Sequence, residues 1–382
     1  MTREHQLPLA LMGHLLEQYQ AGPVPELLVL GNGRQGLERE RIRLTSALRK
    51  QLCDALRKLK SDLERPQPPA LAADRRKCTL CSWRESCGRV ASSDGHLSEV
   101  SGIGAKRRDM LQELGIQSLN DLASANPERL AVQMERFGEQ HGDAARALVA
   151  QATAQRDGQV ERLDPTLALP ELHDAPGALL YDIESDPDAR HDFLHGFLRL
   201  PRQKDGRWDL AAATYHPLLM LAEHGEQRSW LRLQRLLSRY EGWPILHYGE
   251  TETLSLRRLA QRQGASDAQL SRLKRRLIDV HARIRSHWRL PLSSYGLKSV
   301  AAWRGFRWSQ TGVDGARALL WWRQWLGEGP QRRGSRQGLA WIFRYNQDDC
   351  RATWAVAAWL LERDELLTSD ASIPKDQSPA AG

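Results

Sequence analysis

Apolar and polar positions alternate in recognisable periods along the chain. From His5 to Gln20, Leu7, Leu11, His14, Leu15 and Gln18 recur at helical spacing and predict an amphipathic helix. The next apolar run, Leu27 to Leu30, is short and ends in Gly31-Asn32-Gly33, a turn signal. A polar strand and a long helix through Leu59 are predicted to follow, before Pro66, Pro68 and Pro69 break the chain. From Leu97 the pattern reads as a helix, a glycine-rich hairpin around Gly102 and Gly104, and a second helix carrying Leu111 and Leu114. Residues 153–176 have weak periodicity and several breakers, and are predicted to be a linker.

A second pattern starts at Gly177. Ala178 to Glu184 is an apolar strand with acids at its end, and Phe193 to Leu200 is a further strand. Lys204-Asp205-Gly206 predicts a turn into a third strand from Trp208 to Thr214, then a helix from about Leu218 to Arg239. A fourth strand is expected at Trp243 to Tyr248, and several helices after it, the last from about Gln347 to Arg363. The composition of residues 367–382 predicts a disordered tail.

Length changes this picture little: 382 residues suggest two or three domains of roughly 150 residues each. No run of about 18 apolar residues is present, so no membrane partner is expected. No charged start, apolar run and small-residue cleavage site opens the chain, so a cytoplasmic protein is expected. Charge changes it more. The net charge is +8, and residues 177–366 alone hold 30 Lys and Arg against 21 Asp and Glu. The positive excess therefore sits in the C-terminal half and is mostly Arg, which forks onto phosphate and stacks on bases. An Arg-rich surface without a polyanion partner is the plain alternative.

The candidate chemistry is acidic. Asp182 and Glu184 lie two apart on a strand, so both carboxylates share one face. Two acids at the end of a buried strand repel unless a divalent cation bridges them. Glu250 and Glu252 follow a strand at an element boundary, and Tyr345 and Asp349 lie four apart on one helical face. Taken singly, each is also an ordinary strand-end or helix-start residue, and Asp349 near a helix start is favoured by the macrodipole alone. Asp279 is a possible auxiliary acid or a surface ion-pair partner, and His247 and His281 are expected to be structural.

Asp182-Ile183-Glu184, Glu252 and Tyr345-x-x-x-Asp349, in that order, resemble the three motifs of the DEDD exonuclease superfamily. Ser294 to Lys298, followed by Trp303-x-Gly305-Phe306, is similar to the segment before the third motif in its YprB-type branch. The second motif departs from the family's Asn-x-x-x-Asp, reading Tyr248-x-x-x-Glu252, with Glu250 as competitor. Over residues 177–366 the resemblance implies an α/β, ribonuclease-H-like mixed sheet with flanking helices. It also implies metal-dependent 3′–5′ exonuclease hydrolysis of DNA or RNA by two Mg²⁺ or Mn²⁺ ions, about 3.5–4 Å apart. In that scheme Asp182 bridges both ions, Glu184 and Asp349 complete the tighter site, Glu252 reaches the second, and Tyr345 orients the attacking water. A catalytically inactive nucleic-acid-binding scaffold is the alternative function.

Three of the five cysteines, Cys78, Cys81 and Cys87, crowd into ten residues, a spacing that suits Zn²⁺ or an iron–sulfur cluster. Residues 78–96 resemble the cysteine-rich end of RecB-like nuclease domains that carry a 4Fe-4S cluster. Residues 1–77 are similar to the tail of such a domain, truncated, with Pro8 and Met12 where that family has Gln and Tyr. Cys53 is the upstream candidate for a fourth ligand, or else a buried helix cysteine. Residues 97–152 resemble a helix-hairpin-helix. There Gly102 and Gly104 let backbone N–H groups approach phosphate, and Lys106 and Arg107 follow. A hairpin used only for packing is the alternative. Trp321, Trp322, Trp325, Trp354 and Trp359 are expected to pack the core rather than stack on bases.

Overall fold

A computed structural model of the chain describes residues 3–33, 36–67, 71, 81, 83–327 and 336–370. Contacts divide the chain into two compact units, Met1–Ala72 and Ala73–Gly382.

The first unit is α1 (Arg3–Gln20), β1 (Glu26–Gly33), β2 (Gly36–Arg43) and α2 (Ser46–Leu63). The Gly31-Asn32-Gly33 sequence does not end the first strand. β1 runs through Gly33 and pairs antiparallel with β2, Leu27 opposite Ile42. Ala10, Val24, Ile42, Leu44, Leu48 and Leu52 bury a small core. Thr45 caps α2 by accepting from the Leu48 N–H, and Arg49 grips Glu17 with both terminal nitrogens at 2.6 and 2.7 Å.

In the second unit, α3 (Arg84–Ser93) comes first, and α4 (Ala105–Glu113), α5 (Leu119–Ala123), α6 (Pro127–Glu135) and α7 (Glu139–Asp157) close around Leu97, Leu111, Leu122, Met134 and Leu148. The strands that follow are β3 (Glu161–Arg162), β4 (Gly177–Asp186), β5 (His191–Pro201) and β6 (Thr214–Leu219). Next come α8 (Glu226–Arg239), β7 (Ile245–His247), α9 (Glu250–Arg262), α10 (Asp267–Arg276), β8 (Leu277–Asp279), α11 (Val280–His287) and β9 (Trp288–Arg289). α12 (Leu297–Trp303), α13 (Gly315–Gly327) and α14 (Arg336–Asp370) complete the chain.

The main sheet is mixed, in the order β6-β5-β4-β7-β8, with β6, β5 and β4 antiparallel and β4, β7 and β8 parallel. Alternation along β4 gives its two faces different work. Leu180 buries in one core with residues of α11, α12 and α14. Leu179 and Tyr181 bury in another with residues of α8, α9 and α10. Asp182 and Glu184 share the face of Leu180.

Several sequence expectations need correction. The third strand is Thr214–Leu219, not Trp208–Thr214; Trp208 instead tilts against Trp354, with ring centroids 4.8 Å apart. The helix expected from Leu218 starts at Glu226, because Leu218 and Leu219 pair with β5. Residues 153–176 are no loose linker. α7 runs through Asp157, Ala168, Leu169 and Leu172 lie in the core, and buried Asp364 accepts the Ala168 and Leu169 N–H groups at 3.0 Å. Breakers there mark a packed irregular segment whose backbone groups α14 satisfies. The tail expected over 367–382 is helical through Asp370, and the rest lies outside the described residues.

The last helix does not open near Gln347: it spans Arg336–Asp370. Ile342, Tyr345, Asn346, Asp349, Thr353, Val356, Leu360 and Asp364 form one buried stripe at helical spacing. Half of the stripe is polar, and Ile342, Val356, Leu360 and the Tyr345 ring hold those polar groups against the sheet. Trp322, Trp325, Trp354 and Trp359 are buried, as expected of core residues. Trp359 meets Trp288 and Trp303 edge-on, with centroids 5.2 and 5.4 Å away. Trp359→Ala is expected to cost about 3–5 kcal/mol in a urea titration. A loss under about 1 kcal/mol contradicts this packing.

Candidate active site

Two segments far apart in sequence deliver carboxylates to one place. β4 presents Asp182 and Glu184, and α14 presents Asp349. Among the described residues this is the one group of His, Cys, Asp or Glu side chains placed to share an ion, with ligand oxygens all within 4.8 Å. A bulge between Glu184 and Ser185 shifts the register of β4 against β5 beside the site. Glu252, in the first turn of α9, is 8% exposed and contributes charge repulsion to Asp182 and Glu184. It lies outside the tight group. Its competitor Glu250 is exposed on the same turn.

The electrostatics follow from this placement. Burial first, then the Asp349, Glu184 and Glu252 charges, hold Asp182 well above the usual carboxylate range. Burial and Asp349 do the same to Glu184. Burial raises Asp349 to about 6 and Glu252 to about 7. Glu252 Oε2 is buried with no hydrogen-bond partner, and His247 Nδ1 is 4.0 Å away. His247 is occupied elsewhere, with Gly249 O at 2.8 Å and Thr253 Oγ1 at 2.9 Å. A nest of hard oxygens, mutually repelling and with one orphaned atom, suits Mg²⁺ or Mn²⁺.

Neighbouring groups fix the acids. Trp308 Nε1 donates to Asp349 Oδ1 at 2.6 Å, and the Tyr345 hydroxyl hydrogen-bonds the same carboxylate. Ser309 donates through its N–H and hydroxyl to Asp348 Oδ2 at 2.8 and 2.6 Å, pinning the loop that carries Trp308. Lys298 projects its charge toward Glu184 and Asp349, and its ammonium is 5.4 Å from the Tyr345 ring centroid. Position 349 is far inside α14, so a helix-start preference does not explain it.

Sequence reasoning missed Asn346. Its side-chain amide is fully buried and donates to Asp182 Oδ2 at 2.6 Å and Glu184 Oε1 at 3.5 Å. Its oxygen accepts from the Tyr215 hydroxyl at 2.8 Å. Gly196 makes room for it: a Cβ there would fall 1.6 Å from Asn346 Oδ1. The available signal was a polar residue three positions before Asp349, on the same helical face.

Behind β4, on its other face, Asp192 links the strand to α9. Ser185 donates to Asp192 Oδ1 at 2.6 Å, and Ser255 donates to Oδ2. Tyr181 and His195 are hydrogen-bonded at 2.8 Å beside them. One carboxylate thus couples the element bearing Asp182 and Glu184 to the helix bearing Glu252. Asp279 is a helix cap, accepting from His281 and Ala282 and from Gly249 at 3.0 Å, so it sets the turn before Glu252. His281 packs against Tyr248.

The other predicted sites lie in other segments of the chain. In the hairpin, Gly102 has φ +92° and Gly104 precedes α4 in an extended conformation. Both are exposed, as is Lys106, while Arg107 donates to Gly102 O at 2.8 Å. Cys78 lies outside the described residues. Cys81 is exposed and Cys87 half-buried. Cys53 is exposed on α2, so it is not the buried helix cysteine considered above.

The raised acids take up protons on folding, so they stabilise the ion-free protein below about pH 4 and lose this as pH rises through 6–7. Buried His195 and His247 and half-buried His216, whose basicity desolvation lowers, act in the opposite direction, so a variant comparison is needed. With EDTA, the melting temperature of Glu252→Gln relative to wild type should rise from pH 5 to pH 8. Mg²⁺ should stabilise wild type more at pH 8 than at pH 5. A pH-independent difference contradicts the burial of a repelling carboxylate.

No helix among the described residues is long and apolar enough to cross a membrane. No curated protein and no solved structure matches the chain. A family model of the RNase_H superfamily matches residues 179–361. The matched span contains the five-stranded mixed sheet from Leu179 onward, its flanking helices and all four acids, and the match and the architecture together support a ribonuclease-H-like domain over this part of the chain.

Proposed function

We propose that the protein is a metal-dependent nuclease of the DEDD exonuclease type, cutting DNA or RNA from the 3′ end by a two-metal mechanism. The observation that carries this reading is the convergence of Asp182, Glu184 and Asp349 within 4.8 Å on the buried side of the sheet. The superfamily match over residues 179–361 supports nuclease-type activity in the same span.

In this reading Asp182, Glu184 and Asp349 would hold one divalent ion, and Glu252 would contribute to holding a second. Divalent cations in such a nest supply Lewis acidity toward a phosphodiester. Asn346 keeps Asp182 and Glu184 oriented, and Trp308 does so for Asp349. The Tyr345 hydroxyl, already directed at Asp349, orients the water that attacks phosphorus. Lys298 offers positive charge to a non-bridging phosphate oxygen. The 3′–5′ direction, the YprB-type and RecB-like assignments, the cysteine-held Zn²⁺ or 4Fe-4S cluster and the phosphate-facing helix-hairpin-helix belong to the same proposal and rest on resemblance.

With Mn²⁺ and end-labelled single-stranded DNA and RNA, wild type should shorten substrate from the 3′ end. Asp182→Ala should lower kcat/KM by about 10²–10³-fold or more. Tyr345→Phe should lower kcat by about 10²-fold with little change in KM. Equal activity of wild type and Asp182→Ala rejects the assignment.

A further inference from the structure

On the sheet face opposite the acids, positive charge is concentrated and largely unpaired. α8 and α10 flank a groove of about 980 Å³, into which Arg235, Arg239, Arg272 and Arg275 project. All four are exposed. Arg272 alone has an acid nearby, Glu241 at 3.9 Å, and both partners are well exposed. Such a pair contributes little and yields readily to a competing anion. Arg276 has a different role. Its guanidinium donates to the carbonyls of Leu237, Tyr240 and Trp243 at 2.7–3.1 Å, fastening α10 to the end of α8. The groove wall is therefore rigid where its arginines emerge.

Arg239 also lines a second hollow of about 350 Å³, together with Arg199, Thr214, His216 and Tyr240. No carboxylate lines this hollow. His216 Nε2 is buried there without a hydrogen-bond partner. The Arg199 guanidinium lies 5.7 Å from the Tyr240 ring and 5.8 Å from the Trp243 ring, presented over aromatic faces instead of being neutralised by an acid. Two guanidiniums, a hydroxyl, a phenol and an unsatisfied imidazole nitrogen are donors suited to a phosphate group.

We infer that this groove and hollow form one track for the phosphate backbone of a nucleic-acid strand, separate from the place of cleavage. Arg199 shares the sheet face of Phe197, whereas Asp182 lies opposite Gly196 on the other face. A strand engaged at both places must pass around the sheet, so a short substrate reaches only one of them. The track adds affinity for long strands and contributes nothing to the bond-breaking step. The inference deepens the nuclease reading and rests on it only for the polyanion's identity.

The test uses the full-length protein and its Arg199→Gln/Arg239→Gln/Arg275→Gln variant. Binding of fluorescent 20-nucleotide single-stranded DNA and RNA is followed by anisotropy in EDTA, so no cleavage is required. The variant should bind roughly ten-fold or more weakly at low salt, and its slope of log K against log salt should shrink by about 2, near 0.7 per lost contact. Hydrolysis of bis(p-nitrophenyl) phosphate with Mn²⁺ and the melting temperature should match wild type. Wild-type affinity and salt slope in the variant overturn the track, as does failure of wild type to bind either strand. Wild type that binds but hydrolyses nothing counts against the nuclease reading alone, and the slope change still supports the track.

Discussion

Mutual repulsion among buried carboxylates is the constraint on which the rest of this domain depends. Asp182, Glu184 and Asp349 are held within 4.8 Å of one another in a region that excludes much of the solvent, with Glu252 close by. Such a cluster costs folding free energy unless protons or cations relieve it. The surroundings are built to bear that cost. The buried stripe of α14 presses Asp349 against the sheet, Asn346 donates to both acids of β4, and Trp308 donates to Asp349. Gly196 leaves the space that Asn346 needs.

The sheet divides its tasks between two faces. One carries the acids and the helix that completes them. The other carries Tyr181, His195 and Asp192, which tie β4 to α9, and further along it the arginines of α8 and α10. Strand alternation produces this division directly, since neighbours such as Tyr181 and Asp182 point to opposite sides. Negative charge gathered on one face and positive charge on the other lets a polyanion be attracted without the arginines neutralising the acids.

The strand bearing Asp182 and Glu184 and the helix bearing Tyr345 and Asp349 were legible because period-two and period-four spacing is local. Their convergence was not, because it depends on how α14 crosses the sheet. The extent of α14 was also hidden: polar residues around Gln347 and Asp348 look like a helix start, yet Asp348 is held by Ser309, 39 residues away in sequence. Asn346 escaped notice for a related reason, since its partners are Tyr215 and Asp182, both supplied by the tertiary fold. Residues 153–176 looked like a linker because irregular backbone leaves no periodicity, even when Asp364 fastens it from far along the chain.

Direct measurement of Mn²⁺ uptake by electron paramagnetic resonance at neutral pH addresses the central claim most closely. Wild type should show saturable binding, and Asp182→Asn combined with Asp349→Asn should abolish it while the protein stays folded. Equal uptake by both proteins, or none by wild type, would contradict a carboxylate nest built around cations.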